Sequence, residues 1–147
     1  MAEAAHILIV EARFYEDIAD EMVAGARAEL DADGASCEIV AVPGAFEIPA
    51  AIRMAIESGR FDGYVALGCV IRGETSHYDY VCGESARGLM DLATRHGIAL
   101  GYGILTTENR EQAVARAWRD QKNKGGDAAR ACLVMLAQRR AFAIEAE

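Results

Sequence analysis

Residues 6–42 read HILIVEARFYEDIADEMVAGARAELDADGASCEIVAV, and their pattern decides the fold. Ile7, Leu8, Ile9 and Val10 follow one another without a polar break, which marks a short strand from His6 to Val10 buried on both faces. Ile18, Met22, Ala26 and Leu30 then recur at four-residue intervals, so they share one face of a helix that ends near Gly34. Cys37 to Val42 is a second apolar strand, stopped by Pro43 and Gly44. Two such strands joined through a helix make a parallel unit with a right-handed crossover.

The alternation continues to the end of the chain. Pro49 suits the first turn of a second helix, which carries Ile52 and Ile56 and closes at Gly59. Tyr64 to Ile71 reads as a third strand, and a long helix from about Tyr78 to His96 is stopped by Gly97. Ile98 to Leu105 reads as a fourth strand, weakened but not forbidden by Gly101 and Gly103. Asn109 can cap a further helix, with Gln112 three residues on to complete a capping box. After Lys122-Asn123-Lys124-Gly125-Gly126, an alanine-rich segment from about Asp127 to Phe142 forms the last helix. The expected architecture is α/β: a flavodoxin-like three-layer sandwich, in which a four-stranded parallel sheet is flanked by helices on both faces. One domain is expected to fill residues 1–147.

Composition narrows the function classes. The chain holds 23 acidic and 15 basic residues, a formal net charge of −8, which argues against nucleic acid or an anionic membrane as the main partner. Any anionic ligand must then be met by a local cluster of Arg and Lys. Hydrophobic residues make up 52%, enough for an ordinary core, so disorder is excluded. Cys37, Cys69, Cys82 and Cys132 lie far apart with no CxxC pair, so reduced thiols are expected rather than disulfides or a zinc site. The amino terminus has no basic run and its apolar stretch is short, so neither signal peptide nor membrane span is expected, and the reading is cytoplasmic.

In an open parallel sheet, ligands bind outside the carboxyl ends of the strands. Those ends here carry Glu11-Ala12-Arg13-Phe14, Pro43-Gly44-Ala45-Phe46-Glu47, the run from Ile71 to His77, and Thr106-Thr107-Glu108-Asn109. No GxGxxG follows the first strand and no GxxxxGK[ST] exists, so dinucleotide and P-loop sites are unsupported. A phospho-receiver site fails too, because Glu11 stands alone after the first strand and Leu67-Gly68-Cys69 supplies no aspartate. Among the three histidines, His6 opens the first strand at the wrong end of the sheet, and His96 complements the dipole at a helix end. His77 alone lies at a strand's carboxyl end, beside Arg72, Glu74 and Thr75, where proton transfer outweighs a purely structural role. Phe14 and Phe46 follow directly after strands, in turns that offer ring faces to a flat heterocycle. The backbone of Gly73, Glu74 and Thr75, entering a helix, offers N–H groups to a phosphate. Arg116 and Lys124 taken alone are solvated helix charges.

Five blocks in order carry a resemblance: residues 43–49 (PGAFEIP), 68–75 (GCVIRGET), 77–79 (HYD), 103–109 (GILTTEN) and 123–125 (NKG). Together they resemble the 6,7-dimethyl-8-ribityllumazine synthase family, over nearly the whole chain. The resemblance implies a transferase of riboflavin biosynthesis that condenses 5-amino-6-(D-ribitylamino)uracil with 3,4-dihydroxy-2-butanone 4-phosphate and needs neither metal nor cofactor. It implies that Phe14 stacks on the pyrimidine, that Ala45, Phe46 and Glu47 hold the ribityl chain, and that Cys69, Val70 and Ile71 read the uracil edge. Glu74 and Thr75 match the phosphate-gripping amides, and His77 matches the proton donor. It further implies a homo-oligomer, a pentamer, with sites between subunits, so that Tyr102, Arg116 and Lys124 come from a neighbour. Free pentamers, single or paired face to face, rather than shells are expected, because Trp118-Arg119-Asp120-Gln121-Lys122 has no glycine to take positive φ at the bend before the last helix. The alternative is a non-catalytic flavin- or lumazine-binding paralogue.

Overall fold

A computed structural model describes residues 4–146; residues 1–3 and 147, which the amino-terminal reading and the 1–147 domain include, lie outside the described residues. In chain order the elements are β1 (His6–Ala12), α1 (Glu16–Ala32), β2 (Ser36–Val42), a 3-10 turn (Ala45–Glu47) running into α2 (Ile48–Ser58), β3 (Gly63–Ile71), α3 (His77–His96), β4 (Ala99–Thr107), α4 (Arg110–Ala117) and α5 (Lys124–Ala146). The four strands form one parallel sheet in the order β2-β1-β3-β4, with Ile9 of β1 flanked by Ile39 and Val65.

Neighbouring residues of β1 point into two separate cores. Ile7 and Ile9 pack with Ile18 and Met22 of α1, Ala117 of α4 and Cys132 of α5. Leu8 and Val10 pack with Ile48 and Ile52 of α2 and Val81 and Leu89 of α3. The unbroken apolar run of the first strand is therefore a two-faced strand, and the sandwich is the expected one.

The edge strand departs from this reading. Ile39 and Val40 are 37% and 44% exposed, so the apolar run of β2 is not covered on both faces within the chain. β2 pairs with β1 alone, and nothing in an apolar run distinguishes an edge strand from a central one.

Other boundaries shift by a few residues for local reasons. β1 extends to Ala12 and β4 to Thr107, and α3 and α5 begin at His77 and Lys124. Gly59 and Gly97 cap α2 and α3 in the left-handed region. Gly101 is required by space: a Cβ there would collide with the Ala128 carbonyl, where α5 lies against β4. The Asn109 side chain accepts from the Gln112 amide, but the Gln112 side chain accepts from Glu108 N–H at 2.8 Å, one residue before the cap. The box thus closes on Glu108 rather than Asn109. Before α5 the positive φ falls on Asn123, at +47°, and its Oδ1 accepts from Gly126 N–H. Asparagine tolerates that region, so the bend is made without glycine, and the missing glycine carries no argument about assembly.

Candidate active site

The carboxyl ends of β1 and β3, the turn after β2 and the start of α3 enclose a cleft of about 560 Å³. Parallel strands bring these ends to one edge because every crossover returns the chain to the opposite edge before the next strand starts. Phe14 and Phe46 stand on the cleft 73% and 56% exposed, as rings with a free face. Ala45 and Glu47 complete the turn after β2, and Cys69, Val70 and Ile71 form the wall at the end of β3. Thr75 and His77 close the side at the start of α3, where Thr75 Oγ1 accepts from His77 N–H at 3.3 Å.

Nine of the thirteen expected site residues therefore meet in one cleft. Glu74 is exposed on the segment between Gly73 and Thr75 but is not part of the wall. Tyr102 lies in mid-β4, Arg116 in the last turn of α4 and Lys124 at the start of α5, and none of them lines the cleft of its own chain. Arg116 donates to the Gln112 carbonyl at 3.0 Å, and Lys124 Nζ lies 3.4 Å from the Asp127 carboxylate.

The electrostatics sort the groups by what each can do. Burial pushes the Cys69 thiol up to about 12, so it stays protonated near neutral pH and is no nucleophile. Burial also raises the phenols of Tyr15 and Tyr78, which keeps both walls uncharged. Arg72, the nearest cation in sequence, is turned to other work. Its Nε lies 2.7 Å from Glu108, its Nη2 is 3.5 Å from Asp79, and its guanidinium covers the Tyr78 ring at 4.3 Å. Among the described residues, no intrachain hydrogen bond engages the amides of Gly73, Glu74 or Thr75, which leaves donors open to an anion before α3.

Sequence reasoning did not assign Tyr78 and Val81, which line the cleft beside His77. The signal was present, since a residue four places after His77 lies on the same helix face. His6 is confirmed at the far end of the sheet, where it bridges Ser36 and Glu38 at 2.7 Å each and stacks on Phe61.

Residues 4–140 match the family described as 6,7-dimethyl-8-ribityllumazine synthase. A protein of that name from Sphingopyxis alaskensis is 60% identical over 140 residues, covering 95% of this chain and 99% of its own. One from Erythrobacter litoralis is 59% identical, covering 90% and 94%. In Rhizobium meliloti, 6,7-dimethyl-8-ribityllumazine synthase 1 is 62% identical, with 89% of each chain covered. With matches of this extent along the sheet and through the cleft, the chain belongs to the 6,7-dimethyl-8-ribityllumazine synthase family.

Proposed function

We propose that this chain is an enzyme that forms 6,7-dimethyl-8-ribityllumazine, phosphate and water from 5-amino-6-(D-ribitylamino)uracil and 3,4-dihydroxy-2-butanone 4-phosphate, the penultimate step of riboflavin biosynthesis. One observation carries the reading: two open aromatic faces, a strand end and a histidine at a helix start line a single cleft. The Phe14 ring stacks on the pyrimidine, and the strand end from Cys69 to Ile71 meets its uracil edge through backbone groups. The turn from Ala45 to Glu47 holds the ribityl chain. The open amides at Glu74 and Thr75 grip the phosphate of the second substrate.

The chemistry then needs proximity and one mobile proton. The 5-amino group attacks the ketone, water leaves and an imine forms. Loss of a proton from the adjacent carbon expels phosphate, and the resulting enol returns to a carbonyl. The ribitylamino nitrogen closes the ring on that carbonyl with loss of a second water. His77, at the mouth of the phosphate segment, carries protons between these atoms. No step calls for a metal or cofactor.

Among the described residues no Lys or Arg lines the cleft, and Arg72 beside it is engaged by two carboxylates. That supports a homo-oligomer, a pentamer, in which Arg116, Lys124 and Tyr102 of a neighbour complete the site. The chain acts as one domain in the cytoplasm; among the described residues no helix is long and apolar enough to cross a membrane. The test is to mix purified protein with both substrates and follow lumazine absorbance and fluorescence. A rate well above the spontaneous condensation is expected, and one equal to it would overturn the reading.

A further inference from the structure

Among the described residues, Glu11 is the one charged side chain classed with the buried groups, at 5% exposure, and the chemistry above does not use it. It stands next to last in β1, at the active edge of the sheet. Its carboxylate meets Arg13 Nη1 at 2.6 Å. The other arm of Arg13 reaches α1, where Nη2 pairs with Asp20 and lies 3.4 Å from the Glu16 carbonyl. One guanidinium therefore ties the end of β1 to the first turns of α1, across the three-residue turn that carries Phe14.

Phe14 itself has little else to hold it, although the Tyr15 carbonyl beside it accepts from Ala19 N–H at 2.9 Å. Phe14 is 73% exposed, and among the described residues no hydrogen bond within the chain engages its backbone. Its ring touches Tyr15 edge-on at 4.9 Å, while Tyr15 packs against the core. A carboxylate buried against a partly exposed guanidinium adds little net stability over apolar packing, so stability alone is a weak reason to bury one here. Position is a better one, because a planar fork with two anchored arms fixes both flanks of the turn.

We propose that Glu11, Arg13 and Asp20 form a staple that sets the Phe14 ring at the stacking distance and tilt the pyrimidine requires, which makes Arg13 a positioning residue. The inference rests on the reading of Phe14 as the stacking platform. Lysine at position 13 keeps the charge but, as a single point donor, cannot hold both flanks.

The experiment is a double-mutant cycle on the full-length protein. Arg13→Lys is made in the wild type and in Phe14→Ala, and each form is assayed for kcat and both KM values. Product affinity is read separately from quenching of the intrinsic fluorescence of 6,7-dimethyl-8-ribityllumazine. In the wild-type background, Arg13→Lys is expected to raise the pyrimidine KM and the product Kd roughly three- to thirtyfold, leaving the butanone phosphate KM within about twofold. In the Phe14→Ala background the same change should add nothing. An unchanged pyrimidine KM, an equal rise in both KM values, or the same loss with and without the ring would each overturn the proposal. Should Arg13→Lys melt early, Asp20→Ala removes the acceptor of the exposed arm while leaving the Glu11–Arg13 pair in place, and is held to the same outcomes. Wild-type protein that neither binds the product nor accelerates the reaction would overturn the functional reading instead.

Discussion

His77 stands at the first position of α3, with Thr75 Oγ1 on its amide and its side chain on the cleft. A placed acid or base contributes roughly 10²–10⁴-fold, and much of the remaining acceleration comes from holding two substrates together. His77→Ala is therefore expected to lower kcat within that range while leaving a rate above the spontaneous one, because solvent can move the proton more slowly. An unchanged kcat would remove His77 from proton transfer. Arg116 poses a different question, since among the described residues its guanidinium meets only the Gln112 carbonyl. Paired with a neighbour's phosphate, it would supply a charged hydrogen bond worth about 1.5–3 kcal/mol. Arg116→Ala should then raise the KM for the butanone phosphate about ten- to a hundredfold, and the pyrimidine KM far less. Equal rises would assign Arg116 to assembly. His77 could be found from the sequence because topology sends the end of β3 to the active edge. The Glu11–Arg13 staple could not, because a Glu-x-Arg spacing in a strand end does not reveal which groups are buried.

Elements were legible where a single period governed them and less so where a neighbour did. The four-residue spacing from Ile18 to Leu30 is the face α1 turns to the core, with all four residues buried. The two glycines that seemed to weaken β4 are instead the room α5 needs, as Ala128 and Cys132 lie directly against Gly101. The exposure of β2 was hidden because strand order is a tertiary fact. Two predictions belong here. Asn123 takes positive φ and accepts from Gly126 N–H at the head of α5, so Asn123→Ala loses a cap and strains the bend. A loss of about 1–3 kcal/mol is expected by urea denaturation, and Asn123→Gly should recover part of it. The second concerns Cys132 in α5, fully buried, with its thiol pushed up to about 12 by burial. A group raised in the folded state contributes stability that is complete below its unfolded value near 9 and is lost as pH rises towards 12. Melting temperature should fall across that window more steeply for the wild type than for Cys132→Ala. Parallel curves would mean the thiol does not titrate with unfolding.

At the scale of the molecule, the question is what covers the surfaces one chain leaves open. Tyr102 on β4, Ile39 and Val40 on β2, and Met90 on α3 are all exposed in the single chain, at 45%, 37%, 44% and 62%. Large apolar exposure on a folded domain marks an interaction surface. On the proposed function the open amides before α3 meet a phosphate, while Arg72, the guanidinium nearest to them in sequence, is engaged by Glu108 and Asp79. A net charge of −8 gives no general attraction for an anion, so a phosphate needs a local cation, and a neighbouring chain is one source of it. Closed rings satisfy both needs at once, since a head-to-tail contact buries one face against a different face and repeats until it closes. The turn before α5 does not decide between a ring and a larger shell, since Asn123 makes the bend that glycine would otherwise make. Arg119 in that turn is half-exposed and pairs with Glu21 of α1 at 3.2 Å, within its own chain. The expectation is a free pentamer of about 79 kDa, from five chains of 15.8 kDa, or two such rings face to face, by light scattering at neutral pH. Dilution that dissociates the ring should lower turnover in step with the loss of mass, because each monomer forfeits its neighbour's Arg116, Lys124 and Tyr102 together. A particle near a megadalton would replace the free ring with a shell, and full activity in isolated monomers would show that the site is complete within one chain.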